Sequence, residues 1–148
     1  MLSLVIFDWK RTLYNPDINE LIAGTEDILL FLKSKKIPMS LIGKGGSEMK
    51  NEVERFRLKS FFKNITFVEN EKSMEIYKPY VQTKNPKDIF FVGDRVRSEL
   101  EAGNRLGATT VWVKQGKFAN ELPQNKFQRP DFIVTSLAEC LILLEKSI

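Results

Sequence analysis

Short, nearly unbroken apolar runs alternate along this chain with longer segments in which apolar residues recur at helical spacing. The first run, Leu2-Ser3-Leu4-Val5-Ile6-Phe7, stops abruptly on Asp8 and is followed by a turn containing Thr12. Similar runs occupy residues 38–43, 65–68, 89–93, 109–113 and 132–134. They are rich in β-branched and aromatic residues and bounded by turn chemistry, which predicts strands over 2–8 and those five segments. The first run lacks in–out alternation, so it is expected to be buried on both faces, as in a parallel sheet.

Between the runs the period changes. In 18–35 the apolar residues Ile18, Leu21, Ile22, Ile28, Leu29 and Leu32 predict a helix. In 47–62 Ser47 is placed to cap the start, with Val53, Phe56 and Phe61 as the apolar stripe. Segments 72–82, 96–106 and 136–146 read similarly, with Gly107 as C-cap of the fourth helix. Strand–helix alternation at this spacing implies βαβ units with right-handed crossovers. The expected architecture is α/β, with helices on both sides of a mainly parallel sheet of five or six strands. No linker, repeat or low-complexity tract divides residues 1–148, so one domain is expected.

Composition narrows the chemistry. With 43% apolar and 28% charged residues, the chain reads as a soluble globular protein. Its apolar runs fall short of the roughly 20 residues a membrane helix needs. Neither a basic leader nor a small-residue cleavage site follows Met1, so no membrane association and a cytoplasmic location are expected. The net charge of +4 comes mainly from dispersed lysines, denser over 33–36 and 44–63, without an arginine-rich run. That pattern disfavours nucleic acid and is compatible with phosphorylated ligands. Cys140 is the single cysteine, and it reads as a buried small apolar residue. Histidine is absent, which excludes Ser-His and Cys-His catalysis. Acid, base and nucleophile must come from Asp, Glu, Lys or Tyr, and any metal must be a hard cation held by oxygens.

Three strand ends carry the candidate chemistry. Asp8 ends the first, Gly43 ends the second ahead of Lys44-Gly45-Gly46, and Gly93-Asp94 ends the run at 89–93, with Glu99 following. If the first and fourth strands meet at the switch point of the sheet, Asp8, Asp94 and Glu99 converge as an oxygen site suited to magnesium. Lys44-Gly45-Gly46 could offer a small anion nest, although a plain tight turn is the simpler role. Trp9 and Trp112 read as packing residues; the polar stretch from Lys114 to Pro130 could border the site, with a surface connection as the default reading.

In this order and context the chain resembles the haloacid dehalogenase (HAD) superfamily of aspartate-nucleophile phosphatases and phosphotransferases. The resemblance rests on Phe7-Asp8-Trp9-Lys10-Arg11-Thr12 for strand-D-x-D-x-T and on Val92-Gly93-Asp94-Arg95-Val96-Arg97-Ser98-Glu99 for strand-G-D-x-x-x-x-D. The stretch from Ala102 to Val113 also looks like the family's next helix and strand. The resemblance implies a three-layer α/β/α Rossmann-like core. It implies a phosphohydrolase in which Asp8 forms an aspartyl-phosphate, beside Thr12 of the same motif. Magnesium would be held by Asp8, the Lys10 main-chain carbonyl and Asp94, with Glu99 orienting a metal-bound water or the groups behind the ligands. Lys72, read as opening the helix over 72–82, would be the phosphate-neutralising lysine, with Lys78 as runner-up.

Two departures stand beside this match. Lys10 occupies the place of the family's acid-base aspartate, and its positive charge suits proton donation better than activation of water. That charge would also weaken magnesium binding. Gly43 occupies the place of a phosphate-binding Ser or Thr, leaving Lys44 and the adjacent amides to hold phosphate; Ser40 and Ser47 are poor substitutes. Spacing leaves no room for an inserted cap, so the resemblance is to a capless member. Such an open site suits a bulky phosphorylated substrate, a protein partner, or a homo-oligomer whose neighbour supplies the lid. The readings are an enzyme of weak or altered chemistry and a degenerate module used for binding or assembly. A phosphoacceptor receiver domain fits less well, because the run at 65–68 ends in Glu69-Asn70 rather than in an aspartate.

Overall fold

The computed structural model describes residues 1–82 and 85–148. All six expected strands form: β1 (Leu4–Phe7), β4 (Met39–Lys44), β5 (Asn64–Val68), β6 (Ile89–Gly93), β7 (Thr109–Val113) and β8 (Phe132–Val134). They make one sheet of order β5-β4-β1-β6-β7-β8, and every pairing in it is parallel. The chain runs outward from β1 in one direction, then returns to β6 on its other side. The switch point therefore lies between β1 and β6, where Phe7 is in register with Val92.

Both faces of β1 are covered, which explains its uninterrupted apolar run. Val5 and Phe7 enter one core with Ile28, Leu29 and Leu32 of α1 (Thr25–Ser34), Met49 and Val53 of α2 (Ser47–Arg55), and Leu137, Cys140 and Leu144 of α5 (Leu137–Glu145). Leu4 and Ile6 enter the other with Tyr77 and Val81 of α3 (Met74–Val81) and Leu100 of α4 (Glu99–Arg105). Cys140 is fully buried, and burial pushes its thiol up to about 12. Gly107 follows α4 with φ +81, the left-handed conformation a helix C-terminus favours. Among the described residues no helix is long and apolar enough to cross a membrane.

Three helix expectations need correction. Residues 18–24 are not helical: β2 (Tyr14–Asn15) and β3 (Glu20–Leu21) form a small antiparallel hairpin, and α1 starts only at Thr25. Ile18 is 59% exposed, so its helical spacing was coincidental. Asn19 at φ 54 and Gly24 at φ 94 interrupt any helix there. The second helix stops at Arg55, because Arg57 takes φ 58; Phe61 then lies in a short 3-10 turn over Lys59–Phe61. Ser47 is the first helical residue and makes no capping bond, since Gly46 holds the cap position.

Candidate active site at the carboxyl edge

The sheet brings its acidic strand ends together. Asp8 follows β1 and Asp94 follows β6, and the Asp8 N–H donates to the Val92 carbonyl at 3.1 Å, fastening the two ends side by side. Glu99, at the start of α4, reaches back over Gly93. A Cβ at Gly93 would overlap the Glu99 carboxylate, so glycine is what lets this acid approach. Carboxylate oxygens of Asp8, Asp94 and Glu99 lie within 4.8 Å of one another, and all three residues are buried.

Buried carboxylates this close require compensation. Lys72 provides most of it: its Nζ donates to Asp8 Oδ1 at 2.7 Å and to Glu99 Oε1 at 3.0 Å. The side chains of this bridge are 5% exposed for Lys72 and 8% for Asp8, so solvent screens it little. Burial opposes the Lys72 charge, but Asp8 and Glu99 outweigh it and hold the ammonium well above its ordinary range. Glu99 also accepts from the Arg95 N–H at 2.9 Å, and burial still leaves its carboxyl raised. The Thr12 hydroxyl lies 3.4 Å from both Asp8 Oδ2 and Asp94 Oδ1, and its single proton can serve only one at a time. Trp112 donates Nε1–H to the Asp94 carbonyl at 2.9 Å and fixes that loop.

Asp94 is the group left short. Its Oδ2 is buried without a hydrogen-bond partner. Burial, followed by the Glu99 and Asp8 charges, pushes its pKa up to about 10. An unpaired buried oxygen facing two further carboxylates is a donor set that fits a hard divalent cation of the magnesium type.

Lys72 is the lysine that reaches the carboxylates, and it lies in the connection before α3 rather than in that helix. Lys78 is exposed and stands 4.0 Å from Glu75, so its charge is spent on its own helix. The phosphate-binding expectations fare differently. Gly43 sits inside β4, in register with Phe67, and does not line the cleft. A Cβ there would come within 3.2 Å of Phe67 and of Trp9 Cβ, so the space a serine would need belongs to packing. Lys44 lines the cleft but is paired with Glu71 at 2.6 Å. The nest is already used: the Gly45 N–H donates to the Val68 carbonyl, and the Gly46 N–H to Glu48 Oε1. Lys10 lines the cleft without a carboxylate within ion-pair distance among the described residues.

The cleft over the carboxylates measures about 330 Å³. Sequence reasoning missed several of its walls. Arg11 and Arg95 line it together with Phe118, and Arg95 is held by Glu121 through two contacts of 2.9 and 3.2 Å. Gln115 ties the 114–130 connection to the opening turn by donating to the Arg11 and Thr12 carbonyls. That segment therefore borders the site instead of merely connecting strands. A charged residue directly after Asp8-Trp9-Lys10 and another after Asp94 were the available signals for Arg11 and Arg95. Nothing local marked Phe118. Trp9 is a packing residue as expected, fully buried and stacked on Tyr14 with 5.3 Å between ring centroids.

A three-layer parallel α/β sheet with a lysine-neutralised acidic cleft at its switch point defines the class of protein. Residues 71–140 match the HAD-hydrolase-like family. The chain is 28% identical over 132 residues to a glyceraldehyde 3-phosphate phosphatase of Pyrococcus furiosus, a match covering 84% of this chain and 55% of that protein. The chain thus spans little more than half the length of that relative. It also shares the fold of a HAD-superfamily hydrolase from Ehrlichia chaffeensis (TM-score 0.77, 16% identity, 99% of this chain and 98% of that one). A haloacid dehalogenase-like family hydrolase from Xanthomonas campestris is similar to the same degree (TM-score 0.78, 13% identity, 99% and 96%). The matched family model and these fold neighbours are of the haloacid dehalogenase type, and this chain is similar to them.

Proposed function

We propose that this chain is a magnesium-dependent phosphohydrolase that passes the phosphoryl group through an aspartyl-phosphate on Asp8. The observation that carries the reading is the buried Lys72 bridge at 2.7 Å from Asp8 and 3.0 Å from Glu99, beside an Asp94 oxygen with no partner. Two anions, the Asp8 carboxylate and a phosphoryl group, approach only if positive charge is fixed between them. Lys72 is held in place from two sides and can turn part of its charge toward phosphoryl oxygens without moving. Thr12 restrains the Asp8 oxygen not engaged by Lys72. The residues suited to magnesium are Asp8, the Lys10 main-chain carbonyl and Asp94, with Glu99 behind them. When bound, the ion would screen the charge shared by nucleophile and phosphoryl group. The open cleft suits a bulky phosphorylated substrate or a phosphorylated protein.

A second reading is favoured by Lys10 and Gly43: a HAD-fold module that binds a partner and no longer turns over. One experiment separates the two. Full-length protein is incubated with magnesium and a panel of phosphate esters and acyl phosphates, reading released phosphate and the intact mass of the protein. Turnover, or a phosphate adduct on Asp8, that disappears in Asp8→Asn supports the enzyme. Turnover that persists in Asp8→Asn rules out this mechanism. Absence of turnover, adduct and magnesium binding establishes the module.

A further inference from the structure

The cleft is lined by five cationic side chains, Lys10, Arg11, Lys44, Lys72 and Arg95. Three of them are already engaged: Lys72 by Asp8 and Glu99, Lys44 by Glu71, and Arg95 by Glu121. Lys10 and Arg11 are not. Among the described residues no carboxylate lies within 4.0 Å of either charged group. Glu48 senses the Lys10 charge, but from beyond that distance, and its own carboxylate is occupied by the Gly46 amide. Of the remaining acids on the cleft wall, Glu71 is taken by Lys44, and Glu69 stands beside Gly46.

Arg11 is the more telling of the pair. Its backbone sits at φ 63, a left-handed conformation that glycine adopts freely and an arginine adopts under strain. Lys36 and Arg57 take the same conformation, so what distinguishes Arg11 is its place on the cleft wall. The residue is also tightly held. Its N–H donates to the Tyr14 carbonyl at 2.6 Å, and its own carbonyl accepts from Gln115 Nε2 at 3.2 Å. Its guanidinium carbon lies 5.9 Å from the Phe118 ring centre, and that of Arg95 lies 4.1 Å from the same ring. Arg11 Nε is buried with no acceptor, and among the described residues the guanidinium makes no hydrogen bond or ion pair. The residue lines the cleft, where the rest of its guanidinium can pair with an anion that enters.

We propose that Lys10 and Arg11 form a second anion subsite on the wall of the cleft. Its ligand is a phosphate or carboxylate on the part of the substrate that leaves. The substrate class is then a compound with two anionic groups, the transferable phosphoryl group at Asp8 and a second anion at Lys10 and Arg11. On this reading Lys10 replaces the superfamily's acid-base carboxylate because the leaving portion is negatively charged, and a carboxylate would repel it. The proposal rests on Asp8 being the phosphoryl site.

The test is calorimetric titration of the full chain, with magnesium present, against three probes. Methylphosphonate carries one anionic group, methylenediphosphonate adds a second phosphonate, and phosphonoacetate adds a carboxylate. At least one two-anion probe should bind about tenfold more tightly than methylphosphonate, the scale of one charge-assisted contact. Whichever it is names the second anion. Arg11→Gln should remove that preference while leaving methylphosphonate affinity unchanged, and Arg11→Lys should keep part of it. Arg11→Gly relaxes the backbone and should lose the preference in the same way, which guards against a misfolded glutamine variant. Affinity of the probes for magnesium itself is common to all the proteins and cancels in the comparison. Methylphosphonate binding with no two-anion preference, or a preference that survives in Arg11→Gly, overturns the subsite alone. Binding of no probe overturns both the subsite and the reading of Asp8.

Discussion

The floor of the cleft and its β4 side rise from the same sheet edge but are built differently. On the floor, Asp8, Thr12, Asp94, Glu99 and the Lys72 side chain are buried; Lys72 answers Asp8 and Glu99, and Asp94 is left without a cation. On the β4 side, Lys44 points out to Glu71, Gly43 is given over to packing, and Lys10 has no ion-pair partner among the described residues. On the proposed function, the floor is the half that would bring a nucleophile and a phosphoryl group together. The other side carries neither a hydroxyl at Gly43 nor a carboxylate at Lys10, the two groups the resemblance would place there. A network that must neutralise buried charge tolerates few changes, whereas a half-exposed rim can change residue type at little cost to folding. That asymmetry explains how one half of the apparatus can be intact beside an altered one.

The sharpest way to break this contrast is at the nucleophile. Asp8→Asn should lower phosphate release by at least about 10⁴-fold, the order seen when a covalent nucleophile is removed. Released phosphate, measured under single-turnover conditions, checks this. The altered side predicts a gain. Lys10→Asp restores a carboxylate at the acid-base position, and turnover of neutral-alcohol phosphate esters should rise by roughly 10²–10⁴-fold. No gain would mean that Gly43, rather than Lys10, limits the reaction. Stability separates the halves next. Lys72→Met leaves two buried carboxylates facing each other and should cost about 3 kcal/mol or more in urea unfolding at neutral pH. Lys10→Met should stay within about 0.5 kcal/mol, as a residue without an ion-pair partner does. Equal costs would erase the distinction drawn between floor and rim.

A further contrast concerns Asp94. Its pKa is raised from 3.8 to about 10, so the metal-free folded chain keeps a proton that the unfolded chain releases. The associated stability is fully present below about pH 4 and is lost as pH climbs through the folded value. Melting temperature without metal should therefore fall steadily between pH 6 and pH 9. Magnesium should offset this, because it takes the place of the proton, so its stabilising shift should be larger at pH 9 than at pH 6. A shift independent of pH would show that Asp94 does not exchange a proton for the ion.

Much of this was legible in the order of residues. Each of the six main strands announced itself as a short apolar run; in β1, β4, β6 and β7 burial on both faces leaves little place for charged residues, while the edge strands β5 and β8 stay partly exposed. Asp8 and Asp94 could be picked out because a carboxylate at the end of such a run has no packing reason to be there, and Glu99 by its place five residues after Asp94 in the motif the chain resembles. The hairpin at Tyr14–Leu21 was not legible. Its strands are only two residues long, and Ile18 imitates helical spacing while facing solvent.

What the sequence by itself determined is local: strand and helix periods, the absence of histidine, the carboxylates at strand ends, and the lysine and glycine that interrupt two motifs. Tertiary structure decided which of these residues share a space. It chose Lys72 over Lys78, since only the residue before α3 reaches the buried carboxylates. It removed Gly43 from the cleft, because Phe67 and Trp9 fill the volume beside it. It brought Phe118, Glu121 and Gln115 to the rim from a segment whose sequence leaves open whether it borders the site or only connects strands. The physical reason is range. Backbone periodicity is written within a few neighbouring residues, whereas compensation of a buried charge depends on groups far apart in the chain, 64 residues in the case of Lys72 and Asp8.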